Sequence, residues 1–114
     1  MFNADGLIND GLTPECRNNG RTTWSYNQGV VLGGLAELSR ATGNASLLQR
    51  ANTLHDPSEP HCSGDTVQFN GIFMRNLVEL NRASPHEEYG HFVTVNAAAV
   101  WDKARKGSEG FSCR

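Results

Sequence analysis

Shifting the chain by 42 residues lays one helix-forming segment on another. Gln28 to Thr42 falls on Asn70 to Ser84, and six of the fifteen aligned positions are identical. The identities are Gly29/Gly71, Leu35/Leu77, Glu37/Glu79, Leu38/Leu80, Arg40/Arg82 and Ala41/Ala83. The apolar stripe stays in register, and the same shift sets Leu47 on Tyr89 and Ala51 on Val93. The repeating unit is therefore a helix–turn–helix hairpin, present twice. Each hairpin has one face to bury and needs neighbours to bury it. Two hairpins fall short of the roughly three units that a repeat array usually requires. The repeat thus predicts an all-α chain of helical hairpins whose packing partners are incomplete.

Helical spacing fills in the elements. Trp24, Val31, Leu35 and Leu38 recur at 7, 4 and 3, which predicts a first helix with that stripe inward, Thr22-Thr23 as its N-cap and Gly43 as its C-cap. Gly29 and Gly33 lie on one face of it, at a cost of about 1 kcal/mol each relative to Ala. Close approach of a neighbouring helix or of a ligand would account for them. A second helix fits 45–55, a third about 67–83 through Phe69, Phe73, Leu77 and Leu80. A fourth fits 86–105, with Tyr89, Val93, Ala97, Val100 and Trp101 inward. The expected organisation is a loop over 1–22, hairpins over 23–55 and 66–105, and a Gly/Ser-rich tail over 106–114. No sustained period-2 pattern competes with the helices.

Composition narrows the ligand class. Ten Lys+Arg against twelve Asp+Glu leave a formal net charge of −2, so no basic excess draws the chain to nucleic acid or an anionic membrane. No run approaches the roughly 20 apolar residues of a membrane span. The first residues carry neither a basic nor an apolar leader segment, which reads as no signal peptide. Charged residues are only 19%, and Gly, Asn, Ser and Thr take their place, a surface suited to a neutral polar ligand. Cys16, Cys62 and Cys113 allow at most one intrachain disulfide. His55, His61, Cys62 and Asp65 match no common zinc spacing, so no metal and no cofactor are expected. Asn44-Ala45-Ser46 is a glycosylation sequon.

The densest cluster of sugar-compatible side chains stands where the first loop enters the first helix. Trp24 and Tyr26 offer flat faces for a pyranose, and Trp24 equally fits the helix stripe as a core anchor. Asn19, Asn27 and Gln28 both donate to and accept from hydroxyls, and Asn27-Gln28 equally suit helix-end hydrogen bonding. Asp10 is a carboxylate acceptor or simply the first residue of an Asp-Gly turn. Glycosidases use two carboxylates about 5–5.5 Å or about 6.5–9.5 Å apart. Asp5, Asp10 and Asp65 all fall in loops, and nothing in the sequence pairs any two of them.

Three stretches are similar to glycoside hydrolase family 76, the α-1,6-mannanase family. They are Asp10-Gly11-Leu12, then Asn18-Asn19-Gly20 through Thr22-Thr23-Trp24-Ser25-Tyr26-Asn27-Gln28-Gly29, then Leu32-Gly33-Gly34-Leu35-Ala36. Cys62-Ser63-Gly64-Asp65, Gln68 to Leu77 and Asn96-Ala97 with Trp101 extend the resemblance over nearly the whole chain. The chain departs from the family at Asn70, where members usually have Lys, and between Leu54 and Cys62, a shorter stretch in which Glu59-Pro60-His61-Cys62 remains with one cysteine lost.

The resemblance implies an (α/α)6 barrel of six hairpins, of which this chain is a partial, truncated piece. It implies an α-mannan substrate and makes Asp10 a sugar-hydroxyl acceptor rather than a catalyst. It implies a catalytic pair of adjacent aspartates, and no Asp-Asp occurs here. The expected substrate-binding set is Asp10, Asn19, Trp24, Tyr26, Asn27 and Gln28, with no catalytic residue. The parent enzyme is implied to be secreted or at the cell surface, and the isolated chain to self-associate through open apolar faces. The alternative is a stand-alone carbohydrate-binding or helical interaction module that does no chemistry.

Overall fold

A computed structural model describes residues 2–55 and 68–104. Four α-helices run in order: α1 (Ser25–Thr42), α2 (Ser46–Ala51), α3 (Phe69–Ala83) and α4 (Glu87–Ala99), which continues as a π-helical turn, Val100–Ala104. The described part is all-α, two helical hairpins side by side with α1 packed along α3. The 56–67 loop and the tail from 105 onward lie outside the described residues, as do Cys62 and Cys113.

The N-terminal loop is more ordered than its turn signals imply. Three isolated antiparallel bridges, Phe2 with Ile8, Asn9 with Thr23 and Leu12 with Asn18, fold it back on itself. The first of these helps bring Ile8 into the core. The second corrects the expected helix start. Thr23 is held extended by its bridge, and Thr22 accepts a backbone hydrogen bond from Asp10 at 2.9 Å. The N-cap therefore moves to Trp24, which is extended (φ −111°, ψ 144°) and makes no side-chain cap. At the far end Gly43 turns left-handed at φ 70° and returns its N–H to Ser39, a conformation that glycine adopts without Cβ strain.

The buried face of α1 is not the expected one. Ser25, Gln28, Gly29, Leu32, Gly33, Ala36 and Ser39 are buried, whereas Leu38 is 49% exposed and Val31 and Leu35 are only partly covered. The reason is close helix packing. A Cβ on Gly29 would stand 2.6 Å from the Cα of Phe73, and one on Gly33 would overlap the side-chain amide of Asn76. Of the two explanations for these glycines, the neighbouring helix is the one observed. Leu32 and Ala36 then meet Phe73, Leu77 and Leu80 in a core shared with Ile8, Ala51 and Leu54.

Two further expectations change. The second helix stops at Ala51, because Leu54 closes a tighter turn by donating to the Ala51 carbonyl at 3.0 Å. On α4, Tyr89 and Val93 pack against the core, but no α4 residue is fully buried. Ala97, Val100 and Trp101 are exposed, Trp101 by 58%. The apolar pattern of α4 continues past the end of the core it meets in this chain.

Candidate functional site

The loop and the first turn of α1 form a shallow groove of about 250 Å³, with Asn9, Leu12, Tyr26, Asn27, Val30 and Val31 among its walls. Local backbone geometry sets its rim. Gly11 has φ 114°, and a Cβ there would press to 3.1 Å from the Asn19 amide nitrogen, so Asp10-Gly11 makes a turn that needs glycine. That turn carries Asp10 to the surface opposite Tyr26, whose hydroxyl donates to the Asp10 carboxylate at 3.3 Å.

The six predicted residues separate into two groups. Gln28 lies inside and is fully buried. Its amide accepts from the Ile8 N–H at 2.9 Å and donates to the Ile8 and Trp24 carbonyls at 2.8 and 3.1 Å. It holds the loop to the helix and presents nothing to a ligand, which corrects its expected place in the binding set. Asn19 is similarly committed: it donates to the Asp10 carbonyl at 2.7 Å and accepts from the Arg21 N–H at 3.0 Å. Trp24 packs edge-on against Phe69, with ring centroids 5.4 Å apart. Asp10, Tyr26 and Asn27 are the three brought together at the groove.

Burial chiefly raises the Tyr26 phenol above its ordinary value of 10.0, and the neighbouring Asp10 charge adds to it. The phenol is therefore a hydrogen donor at neutral pH, which suits a carboxylate acceptor. Its ring leans on Phe69 at 4.5 Å, which fixes the plane it offers.

Two residues that shape the site, the wall residue Asn9 and the bracing Phe69, were not legible. Asn9 is only 8% exposed; its amide donates to the Arg21 carbonyl, while its Oδ1 meets no partner among the described residues. Phe69 leaves the core stripe of α3 to brace Trp24 and Tyr26. The Asn9-Asp10-Gly11 turn was a signal for the first; helical spacing pointed the wrong way for the second.

Chemically the groove is a neutral binding surface. Among the described residues its walls hold no carboxylate, and Asp10 stands at the rim. Among the described residues no three metal-ligating side chains converge. No helix among them is long and apolar enough to cross a membrane.

This arrangement of hairpins around an amide-and-aromatic groove has a counterpart in sequence. The profile of glycosyl hydrolase family 76 matches residues 1–114, and the chain belongs to that family. The crystal structure of the Lin0763 protein from Listeria innocua superposes with a TM-score of 0.78 at 25% identity. The match covers 99% of this chain and 36% of that one, so this chain spans about a third of its neighbour's length. No curated protein matches the chain.

Proposed function

We propose that the chain forms part of the substrate groove of a glycosidase acting on α-1,6-linked mannose, by hydrolysis or by transglycosylation. The family membership supports a glycosidic activity for the whole enzyme. The observation that carries the finer reading is the Tyr26–Asp10 pair, set beside Asn27 in a groove whose other walls are Asn9 and apolar residues. A pyranose presents hydroxyls at its edge and C–H groups on its faces. Asp10 and Asn27 address the first, and the Tyr26 ring with Leu12 and Val30 addresses the second.

The chain contributes binding without the chemistry of bond cleavage. A glycosidase needs an acid and a second carboxylate flanking the bond, and the sequence contains no adjacent aspartates. Secretion or cell-surface location of the parent enzyme belongs to the same reading. So does self-association of the isolated chain through Val30, Leu38 and Phe92, apolar side chains that the described residues leave exposed. The test is incubation of this chain with linear α-1,6-mannan, following new reducing ends. None are expected to appear, and sustained release would overturn the assignment of a groove without a catalytic pair.

A further inference from the structure

The sequon is the one sequence motif that the groove does not use. Asn44-Ala45-Ser46 is the only Asn-x-Ser/Thr in the chain. It spans the turn between α1 and α2 and the first residue of α2, Ser46, and all three residues are exposed. Gly43, left-handed at φ 70°, ends α1 and turns the chain outward before it. The Asn44 side chain is held in an Asx turn: its Oδ1 accepts from the Ser46 N–H at 3.1 Å and from the Ser46 hydroxyl at 2.7 Å. Its Nδ2 donates to none of the described residues.

Position matters as much as exposure. Asn27 and Thr42 are separated by fifteen residues of one helix, a rise of about 22 Å. The turn therefore stands at the opposite end of α1 from the groove. Around it Arg40, Ala41 and Thr42 are exposed as well, so a bulky hydrophilic group there covers neither core nor groove.

We propose that Asn44 is an N-glycosylation site, with a lipid-diphosphate-linked oligosaccharide as the co-reactant. The Asn44 Nδ2 bonds to C1 of the first sugar, and the C1–O bond to the diphosphate breaks. The lipid diphosphate leaves with that electron pair, and the amide proton passes to a base. The site is an outward-facing handle, spatially separate from sugar recognition. It requires that the chain enter a glycosylating compartment, and it does not depend on which sugar the groove binds.

The full chain, translated behind a cleavable leader with endoplasmic-reticulum microsomes, tests this directly. Protease protection marks the translocated pool, so the readout does not depend on folding or export. The expected result is one glycan on the protected chain, removable by an amidase that leaves aspartate at position 44. Asn44→Gln and Ser46→Ala should each abolish it, and Ser46→Thr should retain it. A protected chain without glycan would overturn the proposal, as would a glycan that survives Asn44→Gln. Reducing-end release from mannan, read on the unmodified chain, reports separately on the groove.

Discussion

Helices α1 and α3 are two copies of one unit, yet they bury different faces of it. In α3 the stripe Phe73, Leu77 and Leu80 is the buried one, and Leu80 is 1% exposed. Its repeat counterparts in α1 are Val31, Leu35 and Leu38, and Leu38 is 49% exposed. The converse holds for the small-residue face. Gly29 and Gly33 are pressed against α3, whereas a Cβ on Gly71, the counterpart of Gly29, would meet nothing within 4 Å. Each unit therefore carries a glycine-marked hollow beside an apolar ridge, with Arg75 standing in α3 where α1 has Gly33. The chain joins the hollow of α1 to the ridge of α3, while the ridge of α1 meets the core only in part through Val31 and Leu35 and leaves Leu38 exposed. What the repeat conserves outside this interface is lighter. Glu37–Arg40 and Glu79–Arg82 form the same ion pair in both copies, at 2.7 and 2.6 Å, and such exposed pairs contribute about 1 kcal/mol or less.

Matched substitutions can break this comparison. Leu80→Ala removes buried volume and should cost about 2–5 kcal/mol in chemical denaturation. Leu38→Ala, the same change at the equivalent position, should stay within about 0.5 kcal/mol. Equal losses would mean that the two faces are not used differently.

Gln28→Leu deprives the Ile8 N–H and carbonyl of their partner in a buried setting, for an expected loss of about 2–4 kcal/mol. Its repeat counterpart Asn70 is exposed, and Asn70→Leu should leave stability nearly unchanged. A tolerated Gln28→Leu would show that the loop is held by something else.

Gly29→Ala overfills the contact with Phe73 and should cost about 1–3 kcal/mol. Gly71→Ala, on open helix, should gain about 0.5–1 kcal/mol from helix propensity. The opposite signs, read as shifts of the melting midpoint, sharpen the hollow-and-ridge account. Destabilisation by both would place a neighbour on Gly71.

The smallest effect lies at the groove. The Tyr26 phenol should titrate above 10.0 in an ultraviolet pH titration, and Asp10→Asn should lower that midpoint by removing the adjacent charge. Because the folded value is the raised one, the native state holds this proton longer. Its contribution to stability is complete below pH 10 and is lost as pH rises through the folded value. An unchanged midpoint in the variant would separate Asp10 from Tyr26.

The repeat, the helix order and the Gly43 cap were readable from spacing alone. The facing of α1 was not, because large apolar residues outweigh glycines in any count of hydrophobic periodicity. Here the close approach of two backbones decided the matter, and the partner of Gly29, Phe73, was 44 residues away. The groove was legible as a neighbourhood but not as a division of labour. Asn19, Asn27 and Gln28 are chemically alike, and only the folded loop shows that two of them serve the backbone. The Asn9–Thr23 bridge that sets the start of α1 had no period-2 signature, since it is a single pairing.

The central claim is that this end of α1 binds an α-1,6-linked mannose chain without cleaving it. Titrating the chain with a linear α-1,6-mannan oligosaccharide while following Trp24 and Tyr26 emission tests it most directly. A saturable change that Asn27→Ala abolishes, with the oligosaccharide recovered intact, is the predicted result. No change, or the same change in the Asn27→Ala variant, would contradict it.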